Sequence, residues 1–217
     1  MFLGPELSKF LNILFPKFEV IWTPLEKLRV ILGLCSMLIL LGSLKWVWRI
    51  IWKIPGLGSF LSQKIAPDLN GKWEVTLKSN FPIIEKLQKS AKGKRSFDVF
   101  SSETKIPALS VHKFQVEIDQ TWDDVVIKFL PNDKNPLRHS ETLTCSFFKS
   151  THPKTRGLVY VYRQENDEYG LTDDEMFFGA AQIEILEDGK TMTGYYWTRR
   201  QWQIGLNTAG KIQFNKI

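Results

Sequence analysis

The sequence predicts a mostly β protein, an eight-stranded antiparallel up-and-down minimal β-barrel that is preceded by N-terminal transmembrane helices. Three observations predict this fold. A run without any charged residue, Val30–Leu44, lies near the N-terminus of the 217-residue chain. After Asn70 the hydrophobic pattern changes to the period of two that is typical of β-strands. After Val111 no helical pattern separates one strand-like run from the next, which argues against a parallel α/β sheet.

Residues 1–55 are expected to form a helical membrane anchor, whose strong span covers residues 28–52. The uncharged run is about 22 Å long as a helix, and apolar flanks with three tryptophans extend it toward the ~30 Å of a bilayer core. Pro24 suits the first turn of a helix, and the Pro-Gly pair at 55–56 would end it. We therefore expect one helix from about residue 24 to residue 54.

A weaker apolar segment, residues 6–22, precedes the strong span. Pro16, Lys17 and Glu19 interrupt it. The pattern is compatible with a kinked first span that forms a hairpin with the second, or with an amphipathic helix in the membrane interface. A cleaved signal peptide is not expected, because no basic segment precedes a continuous apolar core.

The charge distribution favours lipid headgroups over nucleic acid as the partner of the basic residues. The formal net charge is +6, and most of it lies in the first 71 residues. Lys45, Arg49 and Lys53 recur every four residues and share one helix face, which is either solvated or in contact with headgroups on the cytoplasmic side of a membrane. The following domain is nearly neutral, so no DNA or RNA polymer is expected as a partner.

Residues 56–70 are a connector, and residues 71–217 are expected to form the barrel. Asp188-Gly189 marks a tight hairpin between two of its strands. Closing eight sequential strands into a barrel removes exposed edges, and a two-sheet sandwich is the alternative. The eight strand-like runs are Lys72–Leu77, Lys113–Ile118, Val125–Phe129, His139–Lys149, Leu158–Gln164, Phe178–Glu187, Lys190–Arg199 and Lys211–Lys216.

The insertion at residues 79–110 interrupts this meander. Residues 82–91 can form a short helix with Ile83, Ile84 and Leu87 on one side. The segment is rich in lysine. It forms either a solvated loop or a lid that brings cations near an anionic ligand at one mouth of the barrel.

The sequence contains no motif for catalysis, for a metal or for a cofactor. His112, His139 and His152 are isolated from one another, and neither a P-loop nor a dinucleotide-binding fingerprint is present. Cys35 and Cys145 fall in apolar or strand-like runs, where they are expected to be small buried hydrophobic residues. We therefore expect a binding protein rather than an enzyme, with no cofactor and no metal.

Aromatic and basic side chains on two strands suggest a wall that binds a ligand. In the run from Thr191 to Arg199, one face carries only polar and aromatic groups. This is a poor core but suits a nucleotide, since aromatic rings stack on bases and arginine pairs with phosphate. Each residue also has a structural alternative, an exposed aromatic ring or a tyrosine whose hydroxyl is satisfied. The candidate ligand-binding residues are Arg156, Tyr160, Tyr162, Tyr195, Trp197 and Arg199.

The first strand opens with the motif G-x-W, within the residues N-G-K-W at positions 70–73. This motif resembles the start of the lipocalins and other calycins, which implies a lipocalin-like barrel whose tryptophan closes one end. The resemblance also implies that an arginine of the last strands packs over the tryptophan ring. Arg199 or Arg200 would take that position, which competes with a ligand role for Arg199.

A hydrophobic hairpin directly before a compact barrel resembles the two-transmembrane, β-strand-rich effectors of bacterial CBASS antiphage systems, the CD-NTase-associated β-barrel family. The resemblance covers the whole chain and rests on architecture. It implies a receptor for a cyclic dinucleotide that a partner nucleotidyltransferase makes during phage infection. It also implies that binding drives self-association into a homo-oligomer, and that the helices then disrupt the bacterial inner membrane and cause abortive infection, with the barrel on the cytoplasmic side. The interrupted segment 6–22 departs from the two spans of the family and leaves the number of crossings open.

Two functions of other classes remain open. A membrane-tethered lipocalin-like carrier would hold an apolar ligand in a lumen lined by valine, leucine and phenylalanine. An enzyme whose active site is spread through the sequence would hydrolyse a nucleotide.

Overall fold

The computed structural model describes residues 24–42, 44–64, 67–94, 96–121, 124–130, 137–149, 156–166, 174–187 and 189–217. The weak span predicted over residues 6–22 lies outside these residues, and so do His152 and the aspartate of the predicted hairpin turn. Within the described residues, the chain forms four helices, eight strands and a short 3₁₀ turn.

Three helices precede the barrel, namely α1 (Pro24–Gly42), α2 (Lys45–Lys53) and α3 (Leu57–Lys64). α2 ends before the Pro-Gly pair, as predicted, and Gly56 has a φ of 80°, a value that favours glycine. In the described part of the chain, no single helix is both long enough and apolar enough to cross a membrane, although α1 and α2 meet this requirement together as a bent pair.

The continuous helix predicted from residue 24 to residue 54 is broken between α1 and α2, whose axes make an angle of 100°. α1 ends at Gly42, and Leu44 is extended with φ −79° and ψ 121°. Glycine lacks a Cβ and is a common site of a sharp kink, so Gly42 permits the helix to end there. The prediction of one continuous helix is wrong, and it was made because the uncharged run Val30–Leu44 passes through this position without interruption.

The eight predicted strands are confirmed, and they pair antiparallel in one sheet. Each strand pairs with its neighbours in sequence except at β3 and β4, and β1 also pairs with β8. A single sheet that returns to its first strand is a nearly closed barrel, so the sandwich alternative is wrong. The strands are β1 (Gly71–Ser79), β2 (Ser110–Gln120), β3 (Val125–Leu130), β4 (Leu137–Lys149), β5 (Arg156–Asn166), β6 (Met176–Ile185), β7 (Thr191–Arg199) and β8 (Ala209–Lys216).

Large apolar side chains fill one end of the barrel, which we call the closed end. Trp73 is fully buried, and its indole N–H donates to the carbonyl oxygen of Leu69 at 2.8 Å. The N–H of Leu69 donates to the side-chain oxygen of Gln120 at 2.7 Å. Helix α2 lies at this end, since Arg49 forms an ion pair with Asp119 at 3.0 Å. The closed end is filled further by Ile118, Leu158, Ile183 and Met192.

One seam of the barrel lacks a backbone ladder in the described residues, because β3 and β4 are not paired neighbours in the sheet. The Thr142 hydroxyl bridges them instead. It accepts a hydrogen bond from the Ile127 N–H and donates one to the Ile127 carbonyl oxygen, both at 3.0 Å. The register of β4 with β5 shifts between Thr142 and Thr144, and Leu143 is exposed. A side chain therefore replaces main-chain pairing at this seam.

Helix α4 (Phe81–Ala91) forms within the insertion, at the end of the barrel opposite the closed end. The side-chain oxygen of Asn80 accepts a hydrogen bond from the Ala209 N–H at 2.9 Å, which ties the start of the helix to β8. Ile84 is buried, whereas Leu87 is exposed. The predicted short helix is confirmed, and its role as a lid stays a prediction.

Candidate ligand-binding cavity

A cavity of about 370 Å³ lies inside the barrel, at the end opposite helices α1 to α3, which we call the open end. Small-molecule pockets have volumes of about 300–1,000 Å³. The apolar part of the wall consists of Leu77, Phe81, Phe114, Val116, Ile127, Phe129, Ile212 and Phe214. The polar part consists of Ser79, His112, Ser140, Thr142, Tyr160, Tyr162, Gln164, Asn166, Tyr196, Thr198, Arg200 and Thr208.

Some inward-facing residues at the open end are smaller or more polar than those of the closed end, which leaves space between the phenylalanine and tyrosine rings of the wall. Along β6, the buried Ile183 gives way to Gly179. Along β7, the buried Met192 gives way to Thr198, which lines the cavity. The alternation of inward and outward residues is the same at both ends, and small side chains at these positions leave room for the cavity.

Tyr160 and Tyr162 form an aromatic wall on β5. Their ring centroids are 5.6 Å apart, and the two residues are only 7% and 8% exposed. A Cβ at position 179 of the neighbouring β6 would collide with the Tyr162 ring, so Gly179 provides the space for this ring. The prediction that the two tyrosines share one strand face is confirmed.

Burial keeps the hydroxyls of the cavity protonated. Burial raises the pKa of Tyr160 well above its usual value and also raises the pKa of Tyr162. Burial raises the pKa of Tyr196 as well, against the opposing effects of side-chain hydrogen bonds and of the nearby Arg200. The three hydroxyls therefore keep their protons at neutral pH and can donate hydrogen bonds to an anion.

Arg200 brings a guanidinium into the cavity wall directly after β7. Its Cζ atom lies 4.0 Å from the centroid of the Phe177 ring, a cation–π contact that holds the planar group in place. Its positive charge acts on Tyr162 and Tyr196, whose pKa values it lowers against the larger effect of burial. A guanidinium beside tyrosine hydroxyls suits a phosphate group, because both kinds of group donate hydrogen bonds to phosphate oxygens.

Hydroxyl and amide groups complete the polar part of the wall. The Thr198 and Thr208 hydroxyl oxygens lie 2.9 Å apart. The side-chain N–H of Gln164 donates to Oδ1 of Asn166 at 3.1 Å, and Nδ2 of Asn166 donates to the Asp174 carbonyl oxygen at 3.2 Å. Amides that are held in this way can orient the edge of a base through hydrogen bonds.

Three of the six predicted ligand-binding residues lie on the outside of the barrel. Tyr195 is 61% exposed, Trp197 is 48% exposed, and Arg199 is exposed on the same outer face of β7. Arg156 lies at the closed end, where its guanidinium donates to the carbonyl oxygen of Ser62 in α3. The structure brings only the two tyrosines of β5 together in the cavity, and the ligand-binding role of all six residues stays a prediction.

The inward-facing residues of β7 are the even-numbered ones, whereas the sequence analysis predicted that the odd-numbered ones would form the wall. Met192, Tyr196 and Thr198 are buried, and Arg200 continues their row into the cavity wall. Each face of this segment carries a tyrosine and ends in an arginine, so these residue types do not distinguish the faces. Met192 is the signal that identifies the inner row, because a large apolar side chain belongs in the core.

Two amides of the wall, those of Gln164 and Asn166, were also missed by the sequence analysis. They follow Tyr162 at steps of two residues along β5, and therefore share its face. Extending the row of tyrosines by this period would have found them, whereas a search for aromatic and basic residues passes over them.

The cation over the Trp73 ring is Lys216, so the expectation that Arg199 or Arg200 would lie there is wrong. The ammonium nitrogen of Lys216 lies 5.5 Å from the ring centroid and donates to the Asp68 carbonyl oxygen at 2.7 Å. β8 ends beside the start of β1, so its last residue reaches the ring. Arg200 follows the other end of β7 and lies at the open end instead.

The described residues contain no group of three or more potential metal ligands. His112 lines the cavity, with Nε2 at 3.3 Å from Oγ of Ser110, and His139 is exposed. Burial raises the pKa of the Cys145 thiol to about 12, so this half-buried residue stays a protonated thiol. Cys35 is exposed on α1, contrary to the expectation, because no other described element covers that side of the helix.

Comparison with known proteins adds a family relationship to this geometry. Residues 64–216 match the family model described as Cap15, cyclic dinucleotide receptor domain. A protein of Escherichia albertii described as CD-NTase-associated protein 15 is 26% identical to this chain over 174 residues. That alignment covers 79% of this chain and 71% of the relative. The matched region contains the whole barrel and the last residue of α3.

Proposed function

Because the chain belongs to the family of Cap15 cyclic dinucleotide receptor domains, we propose that the cavity at the open end binds a cyclic dinucleotide. One observation carries this proposal: a guanidinium and three protonated tyrosines meet in a cavity of small-molecule size. A cyclic dinucleotide presents two phosphates and two bases. These are the groups that guanidinium, hydroxyl and aromatic side chains bind.

In this proposal, different residues of the wall bind different groups of the ligand. Arg200 binds a phosphate, since its charge is the one that a phosphate oxygen requires. Tyr160 and Tyr162 contact a base with their rings and donate hydrogen bonds with their hydroxyls. Gln164 and Asn166 lie on the same strand face as the tyrosines, where their amides can hydrogen-bond to the edge of that base.

We propose that the cavity binds its ligand without changing it. The tyrosines with raised pKa values stay protonated at neutral pH and are therefore poor general bases. Among the described residues, the wall contains no carboxylate and one histidine, His112. The binding energy is then available to shift a conformational or association equilibrium, which is how a receptor responds to its ligand.

We further propose that the chain is an effector of a bacterial CBASS antiphage system. The description of the relative as a CD-NTase-associated protein supports a nucleotidyltransferase as the functional partner that makes the ligand. In α1, no charged residue follows Arg29, and large apolar side chains along it are exposed, which supports a membrane anchor. The barrel then faces the cytoplasm from the bacterial inner membrane, ligand binding drives formation of a homo-oligomer, and the assembled helices disrupt the membrane and cause abortive infection.

Membrane anchoring fits this mechanism on physical grounds. Anchored barrels diffuse in two dimensions, which raises their effective concentration, so a modest ligand-induced interface is enough for clustering. The ligand shifts the equilibrium by the difference between its affinities for the associated and the free form. Gly33 and Ser36 of α1 are small residues of the kind that permit close contact between membrane helices.

A membrane-tethered lipocalin-like carrier of an apolar ligand is the second candidate. The apolar part of the wall favours it, because Phe114 and Phe129 pack with ring centroids 5.6 Å apart beside the cavity. A fatty acid would use this part of the wall and would leave most of the hydroxyls and amides without a partner, at an unfavourable free energy.

The test is calorimetry on the full chain in detergent micelles, with a panel of cyclic dinucleotides, a linear dinucleotide, a short single-stranded RNA and a fatty acid. We expect one or more cyclic dinucleotides to bind more tightly than the linear dinucleotide. Replacing Tyr162 by leucine should weaken this binding, by about 1–3 kcal/mol if the ring stacks on a base. The matched variant Tyr195→Leu, on the outer face of β7, should bind as the parent does.

The receptor proposal fails if no cyclic dinucleotide in the panel binds, and the carrier replaces it if only the fatty acid does. The effector half is tested separately, by release of a dye from vesicles of bacterial lipid that contain the full chain. Release should require the cyclic dinucleotide and should be lost when residues 1–55 are deleted. Release without ligand, or by the deleted chain, contradicts the proposed mechanism.

A further inference from the structure

Helix α2 presents an apolar face that no described part of the chain covers. Trp46 is 62% exposed and Ile50 is 54% exposed, and they lie one turn apart on the helix. Ile54, Leu57 and Phe60, which follow in the turn and in α3, are also exposed. A continuous exposed surface of large apolar side chains marks a contact with an apolar partner.

Another side of α2 is held by the closed end of the barrel. Arg49 binds one carboxylate oxygen of Asp119 at 3.0 Å, and Lys128 of β3 binds the other at 2.7 Å. The Asp119 side chain is only 10% exposed, so loss of one cation would leave a shielded carboxylate with less compensation. The hydrogen bond with Asp119 raises the pKa of Lys128, consistent with a stable pair. This three-residue clamp fixes α2 against the barrel.

The direction of α2 relative to α1 points to a lipid surface as the apolar partner. α1 carries no charged residue after Arg29, and α2 leaves it at an angle of 100°. If α1 enters a bilayer along its normal, α2 runs nearly parallel to the bilayer surface. An amphipathic helix in that orientation buries its apolar face at the boundary between headgroups and acyl chains. The exposed apolar residues of α2 and α3 therefore follow in sequence the helix that enters the membrane.

The tryptophans and lysines of this region fit the same environment. Trp48 and Trp52 lie with ring centroids 4.3 Å apart, and their indole N–H groups are buried without a hydrogen-bond partner among the described residues. Both N–H groups are shielded from headgroups, whereas Trp46 is 62% exposed. Its ring suits a membrane interface, where tryptophan is enriched because its ring is apolar and its N–H is polar. Lys53 and Lys64 are exposed at the ends of α2 and α3, where they would attract anionic headgroups.

We infer that α2 is an interfacial helix that lies in the headgroup layer of a membrane containing anionic lipid. Trp46 and Ile50 face the acyl chains, and Arg49 is clamped to Asp119 of the barrel. The inference rests on the proposed membrane anchoring and adds a fixed orientation to it. The closed end of the barrel lies at the membrane surface, and the open end with its cavity faces the aqueous phase, from which the ligand arrives.

The test is spin-label spectroscopy on the full chain with Cys35→Ser and Cys145→Ala, in vesicles of phosphatidylcholine and phosphatidylglycerol. Single cysteines at Ile50, at Leu38 of α1 and at Thr193 on the outside of β7 carry the label. Exposure to oxygen, which concentrates in lipid, is compared with exposure to a water-soluble nickel chelate. We expect the Leu38 label to be deep, the Ile50 label to be at headgroup depth and the Thr193 label to be in water.

Two outcomes overturn the inference alone. The Ile50 label could be as deep as the Leu38 label, which would mean one continuous span, or as exposed to nickel as the Thr193 label, which would place α2 away from the lipid. If the Leu38 label is itself in water, membrane anchoring fails together with the inference. Calorimetry with cyclic dinucleotides on the same protein then reports separately whether the receptor function survives.

The clamp is tested by measuring the distance between labels at Ile50 and at Lys113 on β2. The Asp119→Asn variant should broaden this distance distribution, because a neutral amide holds Arg49 and Lys128 less strongly. The matched variant Glu117→Gln removes a carboxylate two residues earlier on the same strand face and should leave the distribution narrow. Equal distributions in the Asp119→Asn variant and the parent would show that the carboxylate does not hold α2.

Discussion

The two ends of the barrel are formed by the same strands and differ in what faces inward. At the closed end, Trp73, Ile183 and Met192 fill the interior and exclude water. At the open end, the row of Met192 continues as Thr198 and Arg200, which line a cavity. The closed end gains hydrophobic free energy from burial, whereas the open end keeps polar groups near a void, which is unfavourable without a ligand.

If the open end binds the ligand as proposed, stability and recognition are assigned to opposite ends of one sheet. A core substitution at the closed end should unfold the protein, and a substitution at the open end should leave it folded and unable to bind. The closed end also carries the clamp at Asp119, so the stable half of the barrel is the half that contacts the helices. Substitutions at each end can test this division.

The largest effect is expected at the closed end, from Trp73→Ala. The substitution removes a fully buried ring and its hydrogen bond to Leu69, so the free energy of unfolding should fall by about 3–5 kcal/mol. Urea denaturation followed by circular dichroism measures this change. The matched variant Trp202→Ala, which removes an exposed ring, should change stability by less than about 0.5 kcal/mol. Equal losses in the two variants would mean that Trp73 does not organise the closed end.

The next effect is expected at the open end, from Arg200→Gln. Losing hydrogen bonds to a charged phosphate should weaken cyclic dinucleotide binding by about 1.5–3 kcal/mol, which is about 10–150-fold, with little change in stability. Calorimetry measures the change in affinity, and thermal melting measures the change in stability. Arg199→Gln is the control, because Arg199 is the neighbouring arginine on the outer face. A larger loss of affinity in Arg199→Gln would favour the outer face of β7 as the binding surface.

A smaller effect on binding is expected from Gly179→Ala. The added Cβ collides with the Tyr162 ring and should displace it, which lowers cyclic dinucleotide affinity by about 1.4 kcal/mol, or tenfold. Combining the change with Tyr162→Leu tests the cause, since a smaller side chain relieves the collision. The two effects on stability should then be non-additive in a double-mutant cycle. Additive effects would show that the glycine acts through something other than this ring.

The smallest effect concerns pH. Burial raises the folded-state pKa values of Tyr160 and Tyr162 above the unfolded value of about 10, so the unfolded chain loses these protons first. Their contribution to stability is therefore fully present below about pH 10 and is lost as the pH rises toward the folded-state pKa values. Urea midpoints measured across this range should fall, and Tyr160→Phe with Tyr162→Phe should reduce the slope. An unchanged slope would mean that the tyrosines are not shielded from water.

The strands of the barrel could be predicted from the sequence because each buries one face, and burial of one face imposes the period of two. The same rule failed to identify the inner row of β7. Tyr195 and Trp197 are as aromatic as a core row, and a shift of one residue exchanges the two faces of a strand. The pairing of β7 with β6 and β8 determines which of its faces points inward, and this pairing depends on the whole sheet.

The break between α1 and α2 and the positions of single cations could not be predicted from the sequence. The uncharged run Val30–Leu44 passes through Gly42 without a change of pattern, so nothing in it marks the break. Lys216 rather than an arginine covers Trp73 because β8 ends at the closed end, a consequence of strand length and order. Arg156 lies near the connector for the same reason, since β5 begins at that end.

The Thr142 hydroxyl joins the two edge strands of the nearly closed sheet. Seven antiparallel ladders hold the other neighbouring strands together, whereas the hydrogen bonds described between β3 and β4 join one side chain to the main chain of Ile127. Separating any paired strands breaks a row of main-chain hydrogen bonds, and separating β3 from β4 breaks the two bonds of this hydroxyl. We therefore expect local opening of the sheet to begin at this seam, and hydrogen exchange of the amides of β3 and β4 to be the fastest in the barrel.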